Sequence, residues 1–273
     1  MSAVNPDFDF ARAASVLTDA AARAGAAIMR IYREGPEVEF KADASPVTCA
    51  DRESEVILLD ALQRLAPEIA VVSEESADRP AELGHRFFLV DPLDGTKEFI
   101  GKRSDFTVNV ALIEDGTPRF GLVYAPAHGL LALTLDDGKA VEAKLDASEH
   151  GAELGQLDCR PLCVRKPSAE GLVAVVSHSH LDPATEAFLA KLTIASRSSA
   201  GSSLKFLLVA RGEADVYPRF GPTMEWDTAA GQAVLVAAGG SVVETDGTPL
   251  RYGRTGTGLL NPSFIAWGAQ AKD

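Results

Sequence analysis

The chain has 273 residues, 46% of them hydrophobic, and its 26 Lys and Arg against 39 Asp and Glu give a formal charge of −13. That length buries a full core, as one large domain or two closely joined halves. The acidic balance argues against nucleic acid as a partner, because phosphate backbones are gripped by basic patches. No run approaches the roughly 18 apolar residues of a transmembrane helix, and the first residues, M-S-A-V-N-P-D-F-D-F, lack the basic start and apolar centre of a secretory signal. The cytoplasm is the expected compartment, with a peripheral position on the inner membrane left open.

Phe10, Ala14, Leu17, Ala21, Ala24, Ile28 and Ile31 recur at helical spacing, which predicts a helix over 8–33 closed by Gly35-Pro36. The polar, short-side-chained stretch K-A-D-A-S-P-V-T reads as a mobile loop. A second helix is expected from about Asp51 to Leu65, with Val56, Leu59 and Leu62 on its apolar face. Ile69–Val72 and Phe87–Val90 are short strands ending in S-E-E-S and D-P-L-D. F-T-V-N-V-A-L-I, F-G-L-V-Y-A-P and L-L-A-L-T-L, separated by E-D-G-T-P, A-H-G and D-D-G, have the pattern of an antiparallel meander. Beyond about 165, V-A-V-V-S, the helix D-P-A-T-E-A-F-L-A-K-L and segments near 201–211, 214–218, 226–238 and 241–244 alternate strand and helix. The expected domains are 1–165, an α+β unit with an antiparallel sheet, and 166–273, a smaller α/β unit.

The acids carry the chemistry. Glu74 and Glu75 follow one strand, Asp91 and Asp94 another, and Asp227 stands at the start of a helix. Charges this close repel unless a cation lies between them. Carboxylates and a backbone carbonyl are hard oxygen ligands that suit Mg²⁺ or Mn²⁺. Pro92 stiffens the turn that would present Asp91, the Leu93 carbonyl and Asp94 together. Gly95 permits close backbone approach, and free N–H groups at Gly95-Thr96-Lys97 suit a phosphate. Taken singly, an Asp-x-x-Asp turn is common and Asp227 is explicable as a helix cap; three acidic clusters at element ends are not explained that way. Cys49, Cys159 and Cys163 read as reduced thiols, C-R-P-L-C having the wrong spacing for zinc, and His178 and His180 form a pair without a third ligand.

D-P-L-D-G-T at 91–96, with W-D at 226–227 and Gly239-Gly240 after it, resembles the signature of the lithium-sensitive, magnesium-dependent phosphomonoesterases. These include inositol monophosphatases, fructose 1,6-bisphosphatases and 3'(2'),5'-bisphosphate nucleotidases. D-P-L-D-G-T-K-E-F-I, F-T-V-N-V-A-L-I, G-S-S-L-K-F and Y-P-R-F-G-P-T-x-x-W-D-T-A-A-G are closer still to the CysQ-type bisphosphate nucleotidases, since inositol monophosphatases typically carry T-N-F in place of K-E-F. The resemblance covers most of the chain, least at the N-terminus and in 142–165.

The resemblance implies a layered αβαβα sandwich. It implies two or three Mg²⁺ ions, with Mn²⁺ as a substitute, held by Glu74, Asp91, the Leu93 carbonyl, Asp94 and Asp227. It gives Asp51 and Thr96, with Glu74, the task of orienting a nucleophilic water, and lets the 93–96 turn and the acids receive the scissile phosphate. Ser202, Lys205, Arg219 and His180 are candidates for a second phosphate. The expected substrate is a small phosphorylated nucleotide, adenosine 3',5'-bisphosphate, cleaved to AMP and phosphate in sulfur assimilation by a monomer or homodimer. An inositol or sugar phosphatase, and a catalytically silent phospholigand-binding protein, are the alternatives.

Overall fold

The computed structural model describes residues 8–41, 46–76, 83–177 and 182–269. α1 (Phe10–Glu34) starts at Asp9, whose carboxylate accepts the Arg12 N–H at 2.8 Å, and ends at Gly35 with φ 94°, a conformation that favours glycine. β1 (Val38–Phe40) pairs antiparallel with β2 (Pro46–Thr48). The end of the stretch expected as a loop is therefore a strand. α2 (Cys49–Leu65) begins at the Thr48 cap, and its buried face is Ser54, Leu58, Ala61, Leu62 and Leu65. Val56, expected on that face, is 67% exposed; the true stripe steps by threes and fours from Leu58.

β3 (Ala70–Ser73), β4 (Arg86–Asp94), β5 (Thr107–Glu114), β6 (Thr117–Ala125), β7 (Leu130–Thr134), β8 (Ala140–Lys144) and β9 (Arg160–Pro161) form one seven-stranded sheet in chain order, with the short α3 (Thr96–Ile100) after β4. β3 and β4 are parallel and the later neighbours antiparallel. The expected meander is this sheet's centre.

The second half supplies β10 (Leu172–Ser177), α4 (Pro183–Leu189), β11 (Ile194–Ala200), α5 (Leu204–Ala210), β12 (Val216–Arg219), α6 (Glu225–Ala237), β13 (Ser241–Glu244) and β14 (Phe264–Trp267). Its five strands lie in the order β11, β10, β12, β14, β13. β11 and β14 escape pattern reading for different reasons. I-A-S-R-S-S-A is a largely polar edge strand, and F-I-A-W is too short to show a period.

Strand periodicity explains the layering. Phe88 and Val90 of β4 pack with Leu17, Ile28, Leu58 and Leu62 of α1 and α2. Phe87 and Leu89, on the opposite face, pack with Phe206, Leu207, Val234 and Phe264. A strand buried on both faces thus sits between helix layers. α5 and α6 lie between the two sheets, and Leu189 of α4 covers the outer face of the second through Ala174, Val216 and Ile265. The order is helix, sheet, helix, sheet, helix, the expected αβαβα sandwich. α6 comes so near β6 that a Cβ on Gly121 would lie 2.4 Å from the Ala230 carbonyl, which is why glycine stands there.

Candidate metal and phosphate site

β3 and β4 run parallel with Ser73 opposite Val90, so Glu74 and Asp91, one step further on, emerge at the same sheet end. The Glu74 N–H donates to the Val90 carbonyl at 3.1 Å, which continues the pairing. β4 does not end at Val90 as expected. Asp91 still faces Asn109 and Asp94 still faces Thr107, so three steps of β4 span two of β5 and the chain bulges at Pro92-Leu93. Proline has no N–H to lose from the ladder there. Asp91 Oδ1 accepts the Leu93 N–H at 3.0 Å, and Ser54 of α2 donates to the Pro92 carbonyl at 2.8 Å, so the bulge is held from both sides.

Asp227 arrives from the other half. It is the third residue of α6 and not its cap: its Oδ2 accepts the N–H of the capping residue Met224 at 2.8 Å, leaving its second oxygen for the cavity. Asn261 pins that entry, donating to the Met224 carbonyl at 2.7 Å. Asp51 uses the same device at the start of α2. Its Oδ2 accepts from the Thr48 N–H and hydroxyl at 2.8 and 2.7 Å, while Oδ1 faces the Thr96 hydroxyl at 3.1 Å. The two acids furthest from the D-P-L-D turn in sequence are both fixed by helix starts.

One carboxylate oxygen each from Glu74, Asp91 and Asp227 lie within 4.8 Å of one another. Opposed ligands of a magnesium ion stand about 4.2 Å apart, so this triangle fits such an ion with small side-chain adjustment. The donors are hard oxygens throughout, as magnesium or manganese requires. Asp94 lines the same cavity of about 480 Å³, together with Leu93, Gly95, Thr96 and Lys205.

The electrostatics describe a site that wants cations. Asp91 is 1% exposed, and burial followed by the charges of Glu74, Asp94 and Asp227 holds its carboxyl well above the usual range. Asp227 is raised for the same reasons, burial first and then Asp94 and Glu74. Asp94 is pushed up to about 6, chiefly by burial, with Lys205 pulling against it. Asp51 is raised by burial against its hydrogen bonds from Thr48 and Thr96. Such a cluster is stable as anions only with a cation among them. Lys41 supplies one: its Nζ lies 2.9 Å from Glu74 and 2.6 Å from Glu75. Glu75, pushed up to about 7 mainly by burial, shares Lys41 with Glu74 but does not join the acid triangle.

Two basic side chains line the same cavity. Lys205 is 6% exposed, so it is not a solvated helix residue; its Nζ donates to the Ser202 carbonyl at 2.7 Å and lies 5.5 Å from the Tyr217 ring centre. Burial brings its ammonium down to about 8. Arg219 lines the same cavity; one terminal nitrogen donates to the Pro222 carbonyl, and its buried Nε has no hydrogen-bond partner. Ser202 also lines the cavity, with its hydroxyl directed at the Asp94 and Asp105 carbonyls, 2.9 and 2.8 Å away. His180 lies outside the described residues. Pattern reading passed over Lys41, Ser54 and Tyr217. Lys41 stood in a stretch taken for loop, and nothing in the sequence marks Ser54 as the donor to a carbonyl 38 positions away.

Fold and site together define a metal-assisted phosphatase of the inositol monophosphatase type. The chain belongs to the inositol monophosphatase family, whose pattern it matches over residues 10–271. It is 45% identical over 250 residues to a 3'(2'),5'-bisphosphate nucleotidase CysQ of Shigella flexneri, covering 89% of this chain and 95% of that one. It is 43% identical over 248 residues to the CysQ of Escherichia coli K12, with the same coverage. Among solved structures it superposes on CysQ from Bacteroides thetaiotaomicron with TM-score 0.78 and 38% identity, over 96% of this chain and 99% of that one. Among the described residues no helix is long and apolar enough to cross a membrane.

Proposed function

We propose that this chain is a magnesium-dependent 3'(2'),5'-bisphosphate nucleotidase that converts adenosine 3',5'-bisphosphate to AMP and phosphate, the reaction named for its CysQ relatives. The observation that carries this reading is that one cavity is lined both by the acids Glu74, Asp91, Asp94 and Asp227 and by the cations Lys205 and Arg219. A substrate with two phosphates has one for each set. The acids, with the metal they would hold, would receive the scissile 3'-phosphate, and Lys205 and Arg219 would take the 5'-phosphate by charge-assisted hydrogen bonds. The Arg219 Nε, buried without a partner, gains one there.

Glu74, Asp91, the Leu93 carbonyl, Asp94 and Asp227 would hold two or three magnesium ions, with residues 1–165 as the unit that carries most ligands and 166–273 as the unit that adds Asp227, Lys205 and Arg219. Bound magnesium supplies an activated water and neutralises charge on the leaving oxygen. Thr96 and Asp51 would orient the attacking water. The Thr96 hydroxyl donates to Asp51 Oδ1, so its lone pairs are left to accept a hydrogen bond from the attacking water; as the water's proton passes to Thr96, the hydroxyl's own proton would pass to Asp51, whose carboxyl burial raises. Thr48 holds the other Asp51 oxygen, which fixes the direction of transfer. No serine or cysteine nucleophile is required.

The substrate comparison tests the reading. kcat/KM for adenosine 3',5'-bisphosphate is expected to exceed that for inositol 1-phosphate by at least about a hundredfold, the scale of two charge-assisted contacts. A preference for inositol 1-phosphate would overturn it.

A further inference from the structure

Lys205 reaches the cavity only because α5 springs from an unusual turn at Gly201-Ser202-Ser203. Ser202 has φ 49°, a left-handed conformation that a serine adopts only when held. What holds it is Asp105, in the segment between α3 and β5. Its Oδ2 accepts the Gly201 N–H at 2.9 Å, and its backbone carbonyl lies 2.8 Å from the Ser202 hydroxyl. That hydroxyl also lies 2.9 Å from the Asp94 carbonyl, and Lys205 closes the loop through the Ser202 carbonyl at 2.7 Å. The contact leaves no spare room. A Cβ on Gly201 would sit 2.7 Å from the Asp105 Cβ, and one on Gly95 would sit 2.3 Å from the Ser202 Oγ.

Asp105 itself does not line the site cavity. Its side chain opens on the far side of the turn, into a separate groove, where its Oδ1 lies 3.2 Å from His128 Nε2. It therefore acts on the site from behind, through the turn.

We propose that Asp105 is a positioning residue for the second phosphate: it clamps the 201–203 turn to the end of the Asp94 strand and so sets where Lys205 meets the substrate. This rests on the reading of Lys205 as the 5'-phosphate cation. The experiment compares kcat/KM for adenosine 3',5'-bisphosphate with that for adenosine 3'-monophosphate, which lacks only the second phosphate, in the magnesium-loaded enzyme. Asp105→Ala is expected to lower the ratio of the two about tenfold, mainly through KM for the bisphosphate. Asp105→Asn, whose amide oxygen still accepts the Gly201 N–H, is expected to recover most of it. In a Lys205→Ala background Asp105→Ala should lower the ratio no further, the non-additivity of residues acting through one another.

A clamp needed only for folding would lower both kcat/KM values together and leave the ratio unchanged, which would overturn the proposal. Should Asp105→Ala not fold, Gly201→Ala loosens the same contact from the other side, and an unchanged ratio there overturns it equally. If Lys205→Ala itself leaves the ratio unchanged, it is the second-phosphate reading that falls; if Lys205→Ala lowers the ratio and Asp105→Ala does not, only the role of Asp105 falls.

Discussion

The acidic and basic walls of the cavity are secured in different ways. Every acid is tied to regular structure: Asp91 and Asp94 to a strand bulge, Asp51 and Asp227 to helix starts, Glu74 to the continuation of a parallel pair. The basic wall has two long side chains, one of them hanging on a single left-handed serine turn. Carboxylates that bind a metal ion must keep several oxygens at a separation of a few ångströms, which demands rigid supports. A phosphate held by ammonium and guanidinium tolerates looser geometry, since Lys acts as a point charge. Both walls carry charge that burial opposes, raising Asp94 and lowering Lys205, so each is completed by a ligand of opposite sign.

Breaking the acidic wall is expected to have the largest effect. Asp94→Asn removes a charge without changing shape, and should reduce magnesium-dependent phosphate release on the order of a thousandfold while leaving circular dichroism unchanged; full turnover would refute the site assignment.

A second comparison separates the walls by pH. The metal-free fold holds protons on Asp94 that the unfolded chain has released between the ordinary carboxylate pKa near 3.9 and about 6. The native state binds more protons in that window, so this contribution to stability is present below it and lost as pH rises through about 6. Magnesium binds the deprotonated acids. The rise in melting temperature produced by excess magnesium should therefore grow from pH 5 to pH 7.5, and a rise independent of pH would contradict the reading of these acids as ligands.

The smallest expected effect sharpens the claim that the acidic wall is pre-built. Ser54→Ala leaves the buried Pro92 carbonyl without its donor, which costs about 1–3 kcal/mol of stability and should weaken magnesium binding roughly tenfold in a calorimetric titration. Unaltered magnesium affinity would show that the bulge keeps its shape without α2.

Much of this site was legible in the chain, and unevenly so. D-P-L-D-G-T packs two carboxylates, a stiffening proline and a glycine turn into six consecutive residues, so local chemistry marks it. S-E-E and W-D were legible as acids at element ends. What Glu75 does was not, because S-E-E offers two acids, both paired with Lys41, and only the fold brings Glu74 rather than Glu75 to Asp91 and Asp227. The face of α2 was misjudged for a related reason. Val56 is apolar, but the register against β4 is set by Ser54, Leu58 and Leu62, and hydrophobicity alone does not reveal which stripe meets the sheet.

Local patterns in the chain sufficed for the layered α/β class, the meander and the candidate acids, because strand alternation, helical spacing and adjacent carboxylates are short-range features. Packing alone makes Glu74, Asp91 and Asp227 converge, buries Lys205 in the same cavity and sets Asp105 against the 201–203 turn. Those relations join residues up to 153 positions apart, from Glu74 to Asp227, and depend on how two sheets pack about shared helices, a geometry to which no local period corresponds.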